Sequence, residues 1–184
     1  MSERGDDDRD EGGTVVVVMG VSGCGKSTIA KLLAEHLDAH FRDGDDLHPP
    51  ENIRKMSDGI PLTDEDREPW LEAVRDTAAA RAATHGVHVV ACSALKRRYR
   101  DTLRGAGDVT FVFLHGSREL IGTRMGERRG HFMPHAMLDS QFAALEHPGG
   151  EPNVVSVPID AEPDGIAANA ARALADHYRG STPA

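Results

Sequence analysis

The 184-residue sequence predicts an α/β fold: a five-stranded parallel sheet flanked by helices. Three observations carry this. The runs TVVVVM (14–19), VHVVAC (87–92) and VTFVFLHG (109–116) are apolar without alternation, as strands buried on both faces are. Segments of helical period separate them. A glycine-rich turn joins the first run to the first helical segment, and repeated strand–helix order calls for parallel crossovers.

The elements follow in order. After the strand at 14–19, KSTIAKLLAEHL (26–37) places Ile29, Leu32, Leu33 and Leu37 on one helical face. A short strand is expected at 40–42. PPENIRKMSDG (49–59) opens with prolines and closes with Gly59, as short helices do. Thr63 and Asp66 have capping-box spacing. Pro69 is expected to break the helix after one turn, with a restart into WLEAVRDTAAARAATH. Strands at 87–92, 109–116 and 153–159 alternate with helices near 96–104, 117–128, 134–146 and 163–179. In open parallel sheets ligands bind beyond the carboxyl ends of the strands. Gly20, Asp43, Ser93 and Gly116 all follow strands, so they should converge on one edge.

Composition narrows the function. A formal charge of −9 and a pI near 5.5 argue against nucleic-acid binding, which calls for an excess of Lys and Arg. Residues 2–13 hold six acids against two arginines and no apolar anchor, so residues 1–13 are expected to form a disordered acidic tail. The folded domain is then 14–179, with 180–184 a frayed end. No apolar run approaches the roughly 18–20 residues needed to span a bilayer, and no signal-peptide core is present. A cytoplasmic protein, with no membrane partner, is expected. Cys24 and Cys92 form no CxxC, and both read as reduced thiols.

The turn after the first strand is GVSGCGKS, a full match to G-x-x-x-x-G-K-[ST]. In this pattern the backbone amides of Gly20, Val21, Ser22, Gly23, Cys24 and Gly25 cradle phosphate oxygens at a helix N-terminus. Lys26 reaches the β- and γ-phosphates of a nucleoside triphosphate, Ser27 offers its hydroxyl to Mg2+, and Thr28 is placed at the α-phosphate. Cys24, a thiol at a helix start, is expected to be sensitive to alkylation.

The sequence holds no N-K-x-D for reading guanine and no D-x-x-G after the loop, which excludes a GTPase switch. The strand at 87–92 ends in Cys-Ser, without the acid of a typical Walker B strand. The metal-side carboxylate must therefore come from HFRDGDDLHP (40–49). Asp43 and Asp45, two apart, would point the same way in an extended segment, one holding a metal-bound water and the other taking the proton of an attacking hydroxyl. Asp46 would face solvent. Two basic clusters follow. ALKRRYR (94–100) places Lys96, Tyr99 and Arg100 on one helical face, and TRMGERRGHF (123–132) carries Arg124, Arg128 and His131. Arginines on a lid over a P-loop stabilise the transferring phosphoryl group and exclude water.

Together GVSGCGKST, DGDDLHPPENIRKMSDGIPLTDEDREPWL, CSALKRRYRD, ERRGHF and LDSQFAALEHP resemble bacterial-type gluconokinases, small P-loop kinases related to shikimate and nucleoside-monophosphate kinases. The resemblance spans about residues 15–160. It implies the P-loop NTPase fold with strand order 2-3-1-4-5, a mobile lid at about 124–136, ATP and Mg2+ as cofactors, and a homodimer. It also implies ATP-dependent phosphorylation of D-gluconate at O6 to give 6-phosphogluconate and ADP, in carbohydrate-acid catabolism. The expected roles are Lys26, Asp45 and Arg128 in catalysis, Ser27 and Asp43 at the metal, and Arg124 at the nucleotide, with the order of the two arginines between nucleotide and γ-phosphate left open. His48, Asn52, Lys55, Ser93, Lys96, Tyr99, Arg100 and His131, with Asp45, should hold the substrate. The residue chemistry agrees, because a sugar acid wants a cation or two and convergent hydrogen-bonding groups. Another small-molecule kinase, or a nucleotide binder without an acceptor, are the alternative readings.

Overall fold

The computed structural model describes residues 12–127 and 135–181. Five strands, β1 (Thr14–Met19), β2 (His40–Asp43), β3 (Val87–Ala91), β4 (Asp108–His115) and β5 (Val154–Pro158), form one parallel sheet in the order β2-β3-β1-β4-β5. The helices are α1 (Lys26–His36), α2 (Pro50–Ser57), α3 (Asp64–His85), α4 (Arg97–Arg104), α5 (Arg118–Glu127), α6 (His135–Ala144) and α7 (Pro163–Gly180).

The sheet explains why its central strands lack alternation. In β1, Val16 and Val18 face a core built with Ile29, Ala30 and Leu33 of α1 and Ile166, Ala170 and Leu174 of α7. Val15, Val17 and Met19 face the other way, against Trp70, Leu71, Val74, Ala78 and Ala82 of α3 and Leu103 of α4. Both faces are covered, so every position must be apolar. The parallel register sets Val18 opposite Ala91 and Asp43 opposite Ala91 in turn, so the carboxyl ends of β1, β2 and β3 lie level. Gly20 N–H donates to the Ser93 carbonyl at 3.3 Å, which brings the loops after β1 and β3 together as expected.

Two local expectations change. Pro69 does not break α3, which runs unbroken for 22 residues from a complete Thr63–Asp66 capping box. Pro69 sits early in the helix, so it removes only one N–H, and burial of Trp70, Leu71 and Val74 against the sheet holds the segment helical across it. The acidic stretch is not extended either. Gly44–Leu47 forms a 3₁₀ turn capped by Asp43, whose Oδ1 accepts from Asp45 N at 3.0 Å.

On β3, His88 is 2% exposed, and neither ring nitrogen has a hydrogen-bond partner among the described residues. Burial first, then the charges of Arg81, His40, His85 and Arg42, push its pKa down to about 4. Folding therefore favours the neutral ring. Its contribution is complete above the unfolded value near 6.5 and is lost as pH falls toward about 4. Across that window one proton of linkage lowers unfolding free energy by about 1.4 kcal/mol per pH unit. Urea titrations at stepped pH should show this slope, and His88→Phe should flatten it.

Candidate active site

The nucleotide side is built by the loop from Gly20 to Gly25 and by the start of α1. Gly20 lies at φ +147°, and a Cβ there would come within 2.6 Å of the Leu114 carbonyl oxygen, so only glycine turns the chain out of β1 here. Gly23, at φ +83°, lies under Met125 of α5, leaving no room for a side chain. The cap of α1 is Gly25, with no side-chain hydrogen bond and no acid in the first turn. Its N-terminal amides and positive dipole end are thus left for an anion. Lys26 Nζ donates to the Val21 carbonyl at 3.0 Å, folded back over the loop. Thr28 is exposed on the first turn.

Beside this lies the acidic turn. Ser27 Oγ donates to Asp43 Oδ2 at 2.5 Å, which joins the nucleotide loop to the end of β2. The side chain of Asp45 is 80% exposed, with His48 Nε2 at 3.8 Å from its Oδ1. Its pKa is raised, by desolvation first and then by the Asp43 charge, while Lys26 opposes the shift and Asp46 adds to it. The coupling places the Asp45 carboxylate and the Lys26 ammonium in one electrostatic neighbourhood. Asp46 is exposed, as expected.

The turn is held from below by Trp70. Its Nε1–H donates to the Gly44 carbonyl at 2.8 Å, and its ring stacks on His48 at 4.1 Å between centroids. The His48 side chain is 5% exposed, and desolvation, then the Arg67 charge, lowers its pKa. It therefore offers a neutral ring at neutral pH. Asn52 is buried, donating to the Asp66 carbonyl at 2.8 Å and lying 3.3 Å from His48 Nδ1.

The expected substrate cations are already paired. Lys55 Nζ lies 2.7 and 2.8 Å from the Asp66 carboxylate oxygens. Lys96 Nζ lies 2.9 and 3.0 Å from those of Asp64, which also accepts from Arg98 at 3.1 Å and from the Tyr99 hydroxyl. The Tyr99 bond first, then Lys96, holds the Asp64 carboxyl down at about 2. Ser93 is half-buried, and its carbonyl accepts from Gly20 N–H at 3.3 Å. Arg67 is a cation that sequence reasoning missed. It donates to the Leu62 and Thr63 carbonyls, has no carboxylate partner among the described residues, and perturbs both His48 and Tyr99. Its signal was its place on the turn of α3 that also bears Asp64 and Asp66.

Three expectations fall differently. Arg100 does not face the cleft. It is fully buried, paired with Glu151 at 2.5 and 3.0 Å, and donates to the carbonyls of Ala94, Leu95 and Glu146. Lys96 precedes α4 as its cap rather than lying in the helix, so the i, i+4 face expected for the two residues does not form. Arg100 is instead a clamp that fixes the loop carrying Lys96. Cys24 is 1% exposed, so its expected sensitivity to alkylation loses its access route. Burial likewise pushes the Cys92 thiol up to about 12. Arg124 donates to the Ala161 carbonyl at 3.0 Å, just beyond β5. Arg128 and His131 lie outside the described residues. The described residues contain no cluster of three or more His, Cys, Asp or Glu side chains arranged to hold a metal ion, and no helix long and apolar enough to cross a membrane.

A family profile described as shikimate kinase matches residues 22–144. The thermoresistant gluconokinase of Escherichia coli (strain K12) is 46% identical over 157 residues, covering 84% of this chain and 90% of that protein. The chain belongs to the gluconokinase family. The crystal structure of a gluconokinase from Sinorhizobium meliloti 1021 is 47% identical and superposes with a TM-score of 0.82, covering 95% of this chain and all of that one. Shikimate kinase from Aquifex aeolicus vf5, at 16% identity and a TM-score of 0.56, covers 91% of this chain and 99% of that one and shares the fold. Within the gluconokinase fold the paired cations sort into two kinds. Arg100→Ala should lower unfolding free energy by about 3–5 kcal/mol, since it leaves the buried Glu151 carboxylate with Arg104 alone and removes the donor to the Ala94, Leu95 and Glu146 carbonyls. Lys96→Ala should cost no more than about 1 kcal/mol and act on the acceptor KM. Urea denaturation and steady-state kinetics on both variants check this.

Proposed function

We propose that this protein transfers the γ-phosphoryl group of ATP to O6 of D-gluconate, giving 6-phosphogluconate and ADP. The observation that carries the reading is 46% identity to a gluconokinase across 90% of that protein's length. The site geometry is consistent with it: the Ser27–Asp43 hydrogen bond sets a phosphate-binding loop beside the acidic turn that carries the exposed Asp45 carboxylate.

In this reading the loop amides and Lys26 bind the triphosphate, and Arg124 lies on the nucleotide flank. Asp45 accepts the proton of the O6 hydroxyl as its oxygen attacks the γ-phosphorus, and the bond from that phosphorus to the ADP oxygen breaks. His48 and Asn52, neutral and fixed by Trp70 and Asp66, suit the hydroxyls. Arg67, Lys96 and Lys55 line the side suited to the carboxylate of the sugar acid. Arg128 and His131 are assigned by sequence to the lid, Arg128 at the transferring group and His131 on the acceptor side.

Ser27 and Asp43 suit Mg2+. A hydroxyl and one carboxylate form an oxygen-only set, matching an ion that keeps waters and takes phosphate oxygens rather than a protein cage. When bound, the ion neutralises charge on the phosphates. A cytoplasmic homodimer completes the proposal.

The match to the shikimate kinase profile favours one second reading, phosphorylation of a cyclic hydroxy acid. An ADP-release assay over gluconate, shikimate, other sugar acids and nucleoside monophosphates separates the two. Gluconate should give the highest kcat/KM, and a better rival acceptor overturns the proposal. Asp45→Asn should lower kcat by about a hundredfold or more while leaving the ATP KM close to wild type. Turnover within about threefold of wild type would remove Asp45 as the base.

A further inference from the structure

The P-loop has a contact that none of the expected roles explains. Ser22 N–H and Ser22 Oγ–H both donate to Gln141 Oε1, at 3.2 and 3.1 Å, across 119 residues of sequence. Among the described residues no other side chain accepts from an amide of this loop. We propose that Gln141 is a nucleotide-site residue, fixing the loop with its carbonyl oxygen and donating its amide NH2 to the terminal phosphoryl group. The inference rests on the kinase reading above and deepens it.

Donor chemistry settles which way the amide faces. A backbone N–H can only donate, so the atom it meets must be the oxygen. The Nε2 group then points away from Ser22, and no described residue accepts from it. Gln141 is only half-buried, and its Nε2 is not among the buried unpartnered polar atoms, so this donor is open to solvent and free to meet a ligand.

The position identifies the ligand. Lys26, whose role in this motif is to reach the β- and γ-phosphates, rests its ammonium on the carbonyl of Val21, the residue before Ser22. The Ser22 end of the loop is therefore the γ-phosphate end. A carboxylate would accept more strongly from Ser22, but it would repel a triphosphate. Glutamine accepts from the loop and donates to the anion with no charge of its own.

Gln141 is also held from its far side. Beyond α6, Glu146 N–H donates to the Leu95 carbonyl at 2.9 Å, its carboxylate accepts from Arg97 N at 2.6 Å, and its carbonyl accepts from Arg100 at 2.9 Å. The segment that touches the P-loop thus also grips the loop bearing Lys96. Gln141 acts on a fixed base.

Binding of ADP and of a non-hydrolysable ATP analogue to the full chain tests this, with steady-state kinetics and thermal melts alongside. Gln141→Ala should weaken the ATP analogue about tenfold or more, the size expected for a hydrogen bond to a charged group. ADP affinity should stay within about twofold, because ADP lacks the group being read, and kcat should fall in proportion to the ATP effect or further. Gln141→Glu keeps the Ser22 contacts, so its melting temperature should hold at or above wild type, yet it should weaken the ATP analogue more than alanine does. Equal losses for ATP and ADP, or a lowered melting temperature with the ATP-to-ADP ratio unchanged, would make Gln141 a brace only and overturn the proposal. The binding arms need no acceptor. Loss of ATP preference in Gln141→Ala, together with no gluconate turnover in wild type, would support this inference and sink the function above.

Discussion

The hydrogen bond from Ser27 to Asp43 is the contact on which the site depends. It joins the first turn of α1 to the end of β2, two segments with different duties, and no flexible link separates them. The contact exists because the sheet is parallel. Asp43 and Val18 both stand opposite Ala91 in register, so the chain leaves β1 and β2 at the same level on the same edge. An antiparallel pairing would send one of these loops to the opposite end of the molecule.

Three carboxylates within four positions need opposing interactions, and the structure supplies a different one for each. Asp43 spends one oxygen on capping the 3₁₀ turn and the other on Ser27. Asp46 is left in water. Asp45 takes neither role: desolvation and Asp43 raise its proton affinity against the pull of Lys26. One short acidic turn thus divides into a structural acid, a solvated acid and a candidate base.

The opening turns of α3 organise the polar groups beside the acidic turn in the same economical way. The capping box fixes Asp66, which then holds Lys55, while its carbonyl holds Asn52. Asp64 gathers Lys96, Arg98 and Tyr99. One turn further, Trp70 supports the Gly44 carbonyl and the His48 ring. The cations on this side are already oriented by carboxylates, and in the proposed reading that limits the entropy lost on binding an acceptor. Arg67 stands among them without a carboxylate partner among the described residues.

What the sequence determined by itself was whatever depends on neighbours along the chain. The double-faced valine run of β1, the glycine loop with its lysine and serine, and the Thr63–Asp66 cap are local patterns with local causes, and the parallel sheet follows from repeated strand–helix order. Tertiary structure decided what depends on partners distant in sequence. Arg100 looked like one more residue of an exposed basic face until Glu151, 51 positions away, drew it into the interior. Pro69 looked like a break until the sheet beneath Trp70 and Leu71 held the helix together. The pairing of Lys55 and Lys96 with α3, the place of Arg67, and the reach of Gln141 to Ser22 have no sequence period, because a polar side chain's role is set by which donors and acceptors the fold brings within about 3 Å of it.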